Sequence, residues 1–158
     1  MKKFTKLYLR LLLYIVILNV SIVSATLLFH EAGHFFIGDY LGCKNIKIII
    51  FDSSLFNTYT EMNCPPSTPL FLLELGGFLF VIPFSLFFLL LLGSFPEKNF
   101  FWIILGFNVL ISLSDMMVLV KAFIFIFSFT LLGTILIIIG ENLLIDRFLE
   151  FYKNKIGR

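Results

Sequence analysis

The chain has 158 residues, of which 59% are hydrophobic and 14% charged, and its mean hydropathy is +1.03. This composition excludes an ordinary soluble domain and is typical of an integral membrane protein with several spanning helices. The formal net charge of +2 gives no basis for nucleic-acid binding. We therefore expect one integral membrane domain over residues 1–158, an all-α bundle of about four transmembrane helices in the lipid bilayer.

Four apolar stretches mark these spans, at about residues 11–39, 69–92, 100–120 and 122–139. The first stretch follows a basic flank, as a signal peptide does, but it continues into an ionisable motif, so we interpret it as a retained span. A short turn containing Glu97 and Lys98 separates the second and third spans, and Lys121 marks a tight connection to the fourth. Gly140 ends the last apolar run, and a charged amphipathic tail is predicted at 141–158.

The segment between the first two spans is rich in residues that break helices. Within it, residues 47–51 and 57–62 are short and rich in β-branched or aromatic side chains, which predicts a β-hairpin between helices 1 and 2. Cys43 and Cys64 bracket this hairpin. A disulfide is expected if the segment faces an oxidising compartment, two unpaired cysteines are equally compatible with the sequence, and metal ligation is a remote third interpretation.

Positive charge is distributed unequally between the two sides that four spans would create. One side, with both termini, holds nine of the 12 Lys and Arg residues: Lys2, Lys3, Lys6, Arg10, Lys98, Arg147, Lys153, Lys155 and Arg158. The other side holds Lys44, Lys47 and Lys121. The positive-inside rule then predicts a multi-pass protein of the cell membrane with both termini in the cytoplasm.

The first span ends in the motif H-E-A-G-H at residues 30–34. Positions four apart share one face of an α-helix, so His30 and His34 can bind one Zn²⁺. In H-E-x-x-H motifs the glutamate, here Glu31, is the general base. The two histidines could instead be core residues with satisfied hydrogen bonds. Three ionisable side chains in five residues of an apolar segment are costly without a ligand, and this cost favours the metal site.

A catalytic zinc needs a third protein ligand, and helix depth ranks the candidates. Asp115 lies seventeen residues after Lys98, and His30 twenty after Arg10, so parallel spans would bring them to similar depth. Glu74 lies near the start of the second span, which crosses the membrane in the opposite direction, and it is the second-ranked candidate for the third ligand. Asp115 could alternatively cap a helix or pair with Lys121.

Asn108 lies seven residues before Asp115 and therefore on the same helix face. Its amide could bind a substrate carbonyl or the oxyanion formed from it. It could equally hydrogen-bond another helix. The sequence leaves these two interpretations open.

Together these features resemble the site-2 protease family of intramembrane zinc metalloproteases, or a small zincin-like membrane relative of it. The resemblance covers about residues 27–121 and rests on the H-E-x-x-H helix, a β-containing loop, the Gly76-Gly77 pair on a second helix, and Asn and Asp on a third. The family's N-x-x-P-x-x-x-x-D-G pattern maps best onto Asn108 and Asp115. The spacing is one residue shorter here, and Ile111 and Met116 replace the proline and the glycine.

The resemblance implies a zinc metalloendopeptidase that hydrolyses peptide bonds of membrane-spanning or membrane-associated proteins. His30, His34 and Asp115 would bind zinc, with Glu74 as the runner-up ligand, Glu31 would be catalytic and Asn108 would contact substrate. The family often places zinc toward the cytoplasm, whereas the charge distribution places it toward the other side. The alternative function is a non-catalytic membrane scaffold or binding protein that retains a protease-like fold. The sequence leaves the substrate and the oligomeric state open.

Overall fold

The computed structural model describes residues 2–52, 57–91, 98–119 and 123–156. In chain order the elements are α1 (Lys2–Tyr40), β1 (Lys44–Asp52), β2 (Asn57–Asn63), α2 (Leu70–Leu91), α3 (Lys98–Ile111), α4 (Leu113–Leu119) and α5 (Phe123–Ile156). The described residues include four helical stretches that are long and apolar enough to span a membrane, at Tyr8–Tyr40, Leu70–Phe87, Asn99–Met117 and Ile124–Glu150. The predicted fold class, an all-α membrane protein with about four spans and a short hairpin, is confirmed.

The end of α1 is determined by a glycine. Gly42 has a φ angle of 79°, in the left-handed region that glycine adopts without a steric cost. The backbone N–H groups of Gly42 and Cys43 donate to the carbonyl oxygens of Asp39 and Gly38, respectively. These two bonds form a Schellman motif, which terminates the helix and turns the chain into the hairpin.

The predicted hairpin is present, with β1 antiparallel to β2. Ile48 pairs with Thr60 and Ile49 pairs with Tyr59 in the register of the two strands. Cys43 and Cys64 form a disulfide at the open end of the hairpin, so the structure selects one of the interpretations that the sequence left open. The predicted turn at 52–54 lies largely outside the described residues.

The third span lies where it was predicted, over 100–120, but its helix is locally irregular at Ser112, where α3 ends and α4 begins. The hydroxyl of Ser114 donates to the carbonyl oxygen of Ile111, three residues earlier. Such a side-chain bond competes with the backbone ladder and bends a helix locally. The predicted connection at Lys121 and most of the turn before Lys98 lie outside the described residues.

The fourth span also differs, since α5 continues through Gly140 into the predicted tail as one helix. Gly140 is buried against α3, where an added Cβ would lie 2.5 Å from Ile103 Cγ1 and 3.0 Å from the Asn99 carbonyl oxygen. Close helix packing therefore compensates for the weak helix propensity of glycine. One residue later, the carboxylate of Glu141 accepts a 2.7 Å hydrogen bond from Asn19 of α1.

The bundle core lies where α1, α2 and α3 meet, around Ile22, Val81, Ile103 and Ile104. Many large apolar side chains on the helices are exposed, as expected where a surface contacts lipid chains rather than water. Together with the four spans, this surface indicates a multi-pass membrane protein. That residues 1–158 form a single domain stays a prediction.

Candidate metal centre

Two histidines of α1 and an aspartate of α4 converge near the C-terminal end of α1. Asp115 lies in the first turn of α4, and its Oδ2 is 2.7 Å from Nε2 of His30 and 3.2 Å from Nε2 of His34. The two Nε2 atoms are 3.2 Å apart. The structure therefore brings together the three residues predicted as ligands, in an arrangement that could hold a metal ion. Metal binding itself stays a prediction.

Two of the three donor-atom separations match a tetrahedral zinc site. Bonds of about 2.0–2.1 Å place neighbouring ligand atoms about 3.3 Å apart. Two of the separations are 3.2 Å, and the third, 2.7 Å, has the length of a hydrogen bond between imidazole and carboxylate. Two imidazoles and one carboxylate are also a donor set that zinc uses in catalytic sites.

A hydrogen bond on the far side of His34 determines which ring nitrogen faces the other donors. Nδ1 is 2.8 Å from the carbonyl oxygen of Leu73, which can only accept, so Nδ1 carries the hydrogen. In the neutral ring, Nε2 then presents a lone pair to the carboxylate of Asp115. Two lone pairs at 3.2 Å repel each other unless a metal ion or a proton lies between them. A metal ion satisfies this arrangement, and a second proton on the ring is the alternative that metal analysis distinguishes.

His30 is supported by α3 and by the residue at the helix break. Its Nδ1 is 3.4 Å from the hydroxyl of Ser112, which in turn is 3.4 Å from Oδ1 of Asn108. Asn108 donates to the carbonyl oxygen of Phe78 on α2 at 3.0 Å. Polar partners behind a metal-ligating histidine orient its ring and adjust its affinity for the metal.

The contacts of Asn108 include the hydrogen bond to another helix that one of its two interpretations predicts. The residue is fully buried and donates to a neighbouring helix. It is not among the residues that line the cavity beside the site. One N–H of the amide therefore has a partner on α2, and the role in substrate binding stays a prediction.

Glycines on both helices allow α1 and α2 to approach closely. A Cβ added to Gly77 would lie 2.5–2.7 Å from three ring atoms of His30. A Cβ added to Gly33 on α1 would collide with the carbonyl oxygen of Gly76. Only hydrogen at these positions leaves room for the imidazole between the helices, as expected for small residues at a helix crossing.

Glu31 points toward the hairpin. The hydroxyl of Thr60 on β2 is 2.7 Å from Oε2 of Glu31 and 3.2 Å from its backbone carbonyl oxygen. Glu31 is only 5% exposed, so this hydrogen bond satisfies a carboxylate that water reaches poorly. The predicted general base therefore lies between the helix bundle and the strand.

A cavity of about 710 Å³ opens beside these residues. Its wall includes Glu31, the three converging residues, residues 58–62 of β2, and Glu74. Glu74, the runner-up ligand, is not one of the three residues whose donor atoms converge. Its neighbour Leu73 contacts His34 through the backbone carbonyl, while Glu74 lies on the cavity wall.

No family model matches the chain, and no curated protein or solved structure is significantly similar to it. A function for this chain must therefore be inferred from the chemistry of the site itself.

Sequence reasoning did not assign a role to Thr60 or Ser112, and it did not pair Asn19 with Glu141. Thr60 lies in a predicted strand, but its partner depends on the register and on how the hairpin packs against α1. Ser112 and Ser114 lie within three residues before Asp115, and two serines there are a weak signal of a helix irregularity. Glu141 directly follows an apolar run, where an ionisable residue requires a partner.

Proposed function

We propose that this chain is a zinc-dependent intramembrane endopeptidase of the site-2 protease type. The observation that carries the proposal is the convergence of His30, His34 and Asp115 within 2.7–3.2 Å, directly beside Glu31 and a cavity. The two helices of this group belong to separate spans, so the group exists only in the folded bundle. Placing the side chains of His30, His34 and Asp115 inside a membrane-spanning bundle costs free energy. Zinc-dependent peptide hydrolysis is a reaction that uses all three of them.

Each residue has a distinct role in the proposed reaction. His30, His34 and Asp115 would hold zinc, which when bound acidifies water and polarises a carbonyl group. Glu31 accepts a proton from the attacking water and then donates it to the leaving amine nitrogen, so that the peptide bond breaks with a balanced proton transfer. Leu73 and Ser112 keep the imidazole rings oriented through their Nδ1 atoms. The cavity admits water to a site that would otherwise be surrounded by apolar helices.

The proposed substrate is a membrane-spanning or membrane-associated protein in an extended conformation at the cleavage point. A helical substrate hides its carbonyl groups in backbone hydrogen bonds, so the segment must unwind before attack. Strand β2 lines the cavity, and an extended peptide could pair with the hairpin as an added strand. Substrate selection would then depend on backbone pairing and on the side chains of residues 58–62.

We further propose that both termini lie in the cytoplasm and that the hairpin faces the opposite compartment. Nine of the 12 Lys and Arg residues lie on the terminal side of the predicted spans. The disulfide between Cys43 and Cys64 supports the same orientation, because disulfides persist in oxidising compartments. A fluorescent reporter that matures only in the cytoplasm should fluoresce when fused after residue 158, and a dark, full-length fusion would contradict this orientation.

The decisive experiment measures zinc and proteolysis in the same preparation. Purified protein should contain about one zinc per chain, because the site offers three ligands and room for water. Reconstituted with membranes from cells that lack the chain, it should generate new protein amino termini, read by mass spectrometry. Glu31→Gln should retain the zinc and lose the new termini. Glu150→Gln, an identical change on the exposed end of α5, should retain both.

Two outcomes contradict the proposal. If Glu31→Gln generates the same termini at the parental rate, the role of the glutamate is wrong. If the parent binds no zinc and generates no termini, the chain is better described as a scaffold that retains a protease-like fold. That alternative predicts that whatever effect the protein has in the cell is unchanged by Glu31→Gln. The effect should be lost when residues on the exposed faces of the helices are substituted.

A further inference from the structure

The hydroxyl of Thr60 makes the contact that joins the hairpin to the predicted general base. Its oxygen is 2.7 Å from Oε2 of Glu31 and 3.2 Å from the Glu31 carbonyl oxygen. A threonine hydroxyl has one hydrogen, and the shorter distance and the charge of the acceptor favour donation to the carboxylate. The contact connects residues 29 positions apart, so only the folded hairpin can provide it.

The position of Thr60 is defined by the strand that carries it. Thr60 pairs with Ile48 across the hairpin, and both strands pack against α1. The disulfide between Cys43 and Cys64 closes the end of the hairpin that joins α1 and α2. A two-stranded hairpin alone is only marginally stable, so these additional connections are what hold the hydroxyl at a defined place.

Glu31 needs such a partner for a physical reason. Its side chain has three rotatable bonds, and the carboxylate is nearly excluded from solvent. A buried carboxylate without a hydrogen bond would turn toward any other donor or toward water in the cavity. A general base must instead stay within hydrogen-bond reach of the water whose proton it takes. One oxygen bound to Thr60 leaves the other oxygen of Glu31 free for that water.

We propose that Thr60 is a positioning residue for Glu31, an inference that rests on the proposed peptidase function. The strand that lines the substrate cavity thus also orients the general base. The hydroxyl touches none of the three converging donor atoms, so it acts on proton transfer and not on metal binding. Packing of the hairpin against α1 would then influence the catalytic rate through the Thr60 side chain.

The test compares Thr60→Val, which keeps the shape and removes the hydroxyl, with Thr60→Ser, which keeps the hydroxyl. Thr60→Val should slow the appearance of new amino termini about 10- to 100-fold, the range for loss of a hydrogen bond to a charged group. Thr60→Ser should restore the rate to within about threefold of the parent, since the donor is retained. In both variants the zinc affinity, measured by chelator competition, should stay within about twofold of the parental value.

The disulfide between Cys43 and Cys64 provides the folding control for these variants. The disulfide, read from the mass after thiol alkylation, should be intact in all variants and shows that the hairpin has formed. If Thr60→Val cleaves at the parental rate while Glu31→Gln is inactive, the positioning role is wrong and the proposed function stands. If Thr60→Val loses zinc, or if Thr60→Ser is as slow as Thr60→Val, Thr60 only supports the structure of the site. If Glu31→Gln remains active, the proposed function fails and this inference fails with it.

Discussion

Two helix crossings in this protein use the same packing device but differ in chemistry. At the crossing of α1 and α2, Gly33 lies against the Gly76 carbonyl oxygen, and at the crossing of α3 and α5 a Cβ on Gly106 would lie 2.7 Å from the Gly133 carbonyl oxygen. Small residues let the backbones approach closely in both places, as is common in membrane helices.

The difference lies in what fills the space beside each glycine contact. Next to Gly76, the imidazole of His30 occupies the space over Gly77, whereas Gly106 and Gly133 are covered by the apolar side chains of Ile137 and Leu110. Close packing by glycine is therefore a property of the whole bundle. It becomes part of a candidate metal centre only where ionisable side chains lie beside it.

The largest expected effect is on zinc affinity at the site beside the α1–α2 crossing, when a predicted ligand is removed. We expect Asp115→Ala to weaken zinc binding by at least about 100-fold, because a total of roughly 10–16 kcal/mol for bound zinc is shared among only a few ligands. Chelator competition on purified protein measures this change. The matched control is Glu74→Ala, which removes a carboxylate from the same cavity wall outside the converging group. Equal losses in both variants would show that the ligand set is wrong.

Filling the space over Gly77 should cause the next largest loss of zinc affinity. The added methyl of Gly77→Ala would lie 2.5–2.7 Å from the His30 ring, so the ring must move and zinc affinity should fall by about 10- to 100-fold. The same chelator assay measures the change. Unchanged affinity would mean that the helices separate without displacing the imidazole.

The corresponding change at the other crossing sharpens the comparison. In Gly133→Ala the added methyl would lie 2.8 Å from the Leu110 side chain, so we expect a loss of about 1–3 kcal/mol in the free energy of unfolding, as for other overpacked interfaces. Zinc content should stay at the parental level, because no converging residue is touched. Thermal unfolding in detergent and metal analysis measure the two quantities. Loss of zinc here would show that the crossings are coupled.

A smaller effect is expected from Ser112→Ala. The hydroxyl is 3.4 Å from His30 Nδ1, which is long for a hydrogen bond, so zinc affinity should fall by about tenfold or less. Ser85→Ala is the control, because Ser85 is equally buried but bonds only within its own helix, to the Ile82 carbonyl. A larger loss in Ser85→Ala than in Ser112→Ala would argue against support of His30 by Ser112.

The smallest effect is expected far from both crossings. Arg147 and Glu150 form a 3.2 Å ion pair on α5, and both side chains are more than 60% exposed. Replacing Glu150 by Gln should change the free energy of unfolding by less than about 0.5 kcal/mol, because the pair lies beyond the apolar run that ends at Gly140, where water screens exposed pairs. A change above about 1 kcal/mol in thermal or chemical unfolding would contradict this expectation.

The helices and the hairpin were predictable because local patterns encode them. Apolar stretches long enough for a bilayer marked the spans, and β-branched runs marked strands that the structure places at Lys44–Asp52 and Asn57–Asn63. The irregularity at Ser112 had only a weak sequence signal, and the continuation of α5 through Gly140 had none. Both depend on contacts with other parts of the fold or on competing side-chain bonds, which residue order alone does not rank.

The same division holds for the candidate site. The sequence by itself determined that His30 and His34 share a helix face with Glu31 beside them, because the helical repeat places residues four apart together. It also restricted the third donor to a few acidic residues at compatible depth. Only the tertiary structure decided that Asp115, not Glu74, joins the histidines, that Asn108 bonds α2, and that Thr60 contacts Glu31. These outcomes depend on the rotation of each helix and on the register of the strands, and both are set by packing between segments distant in the chain.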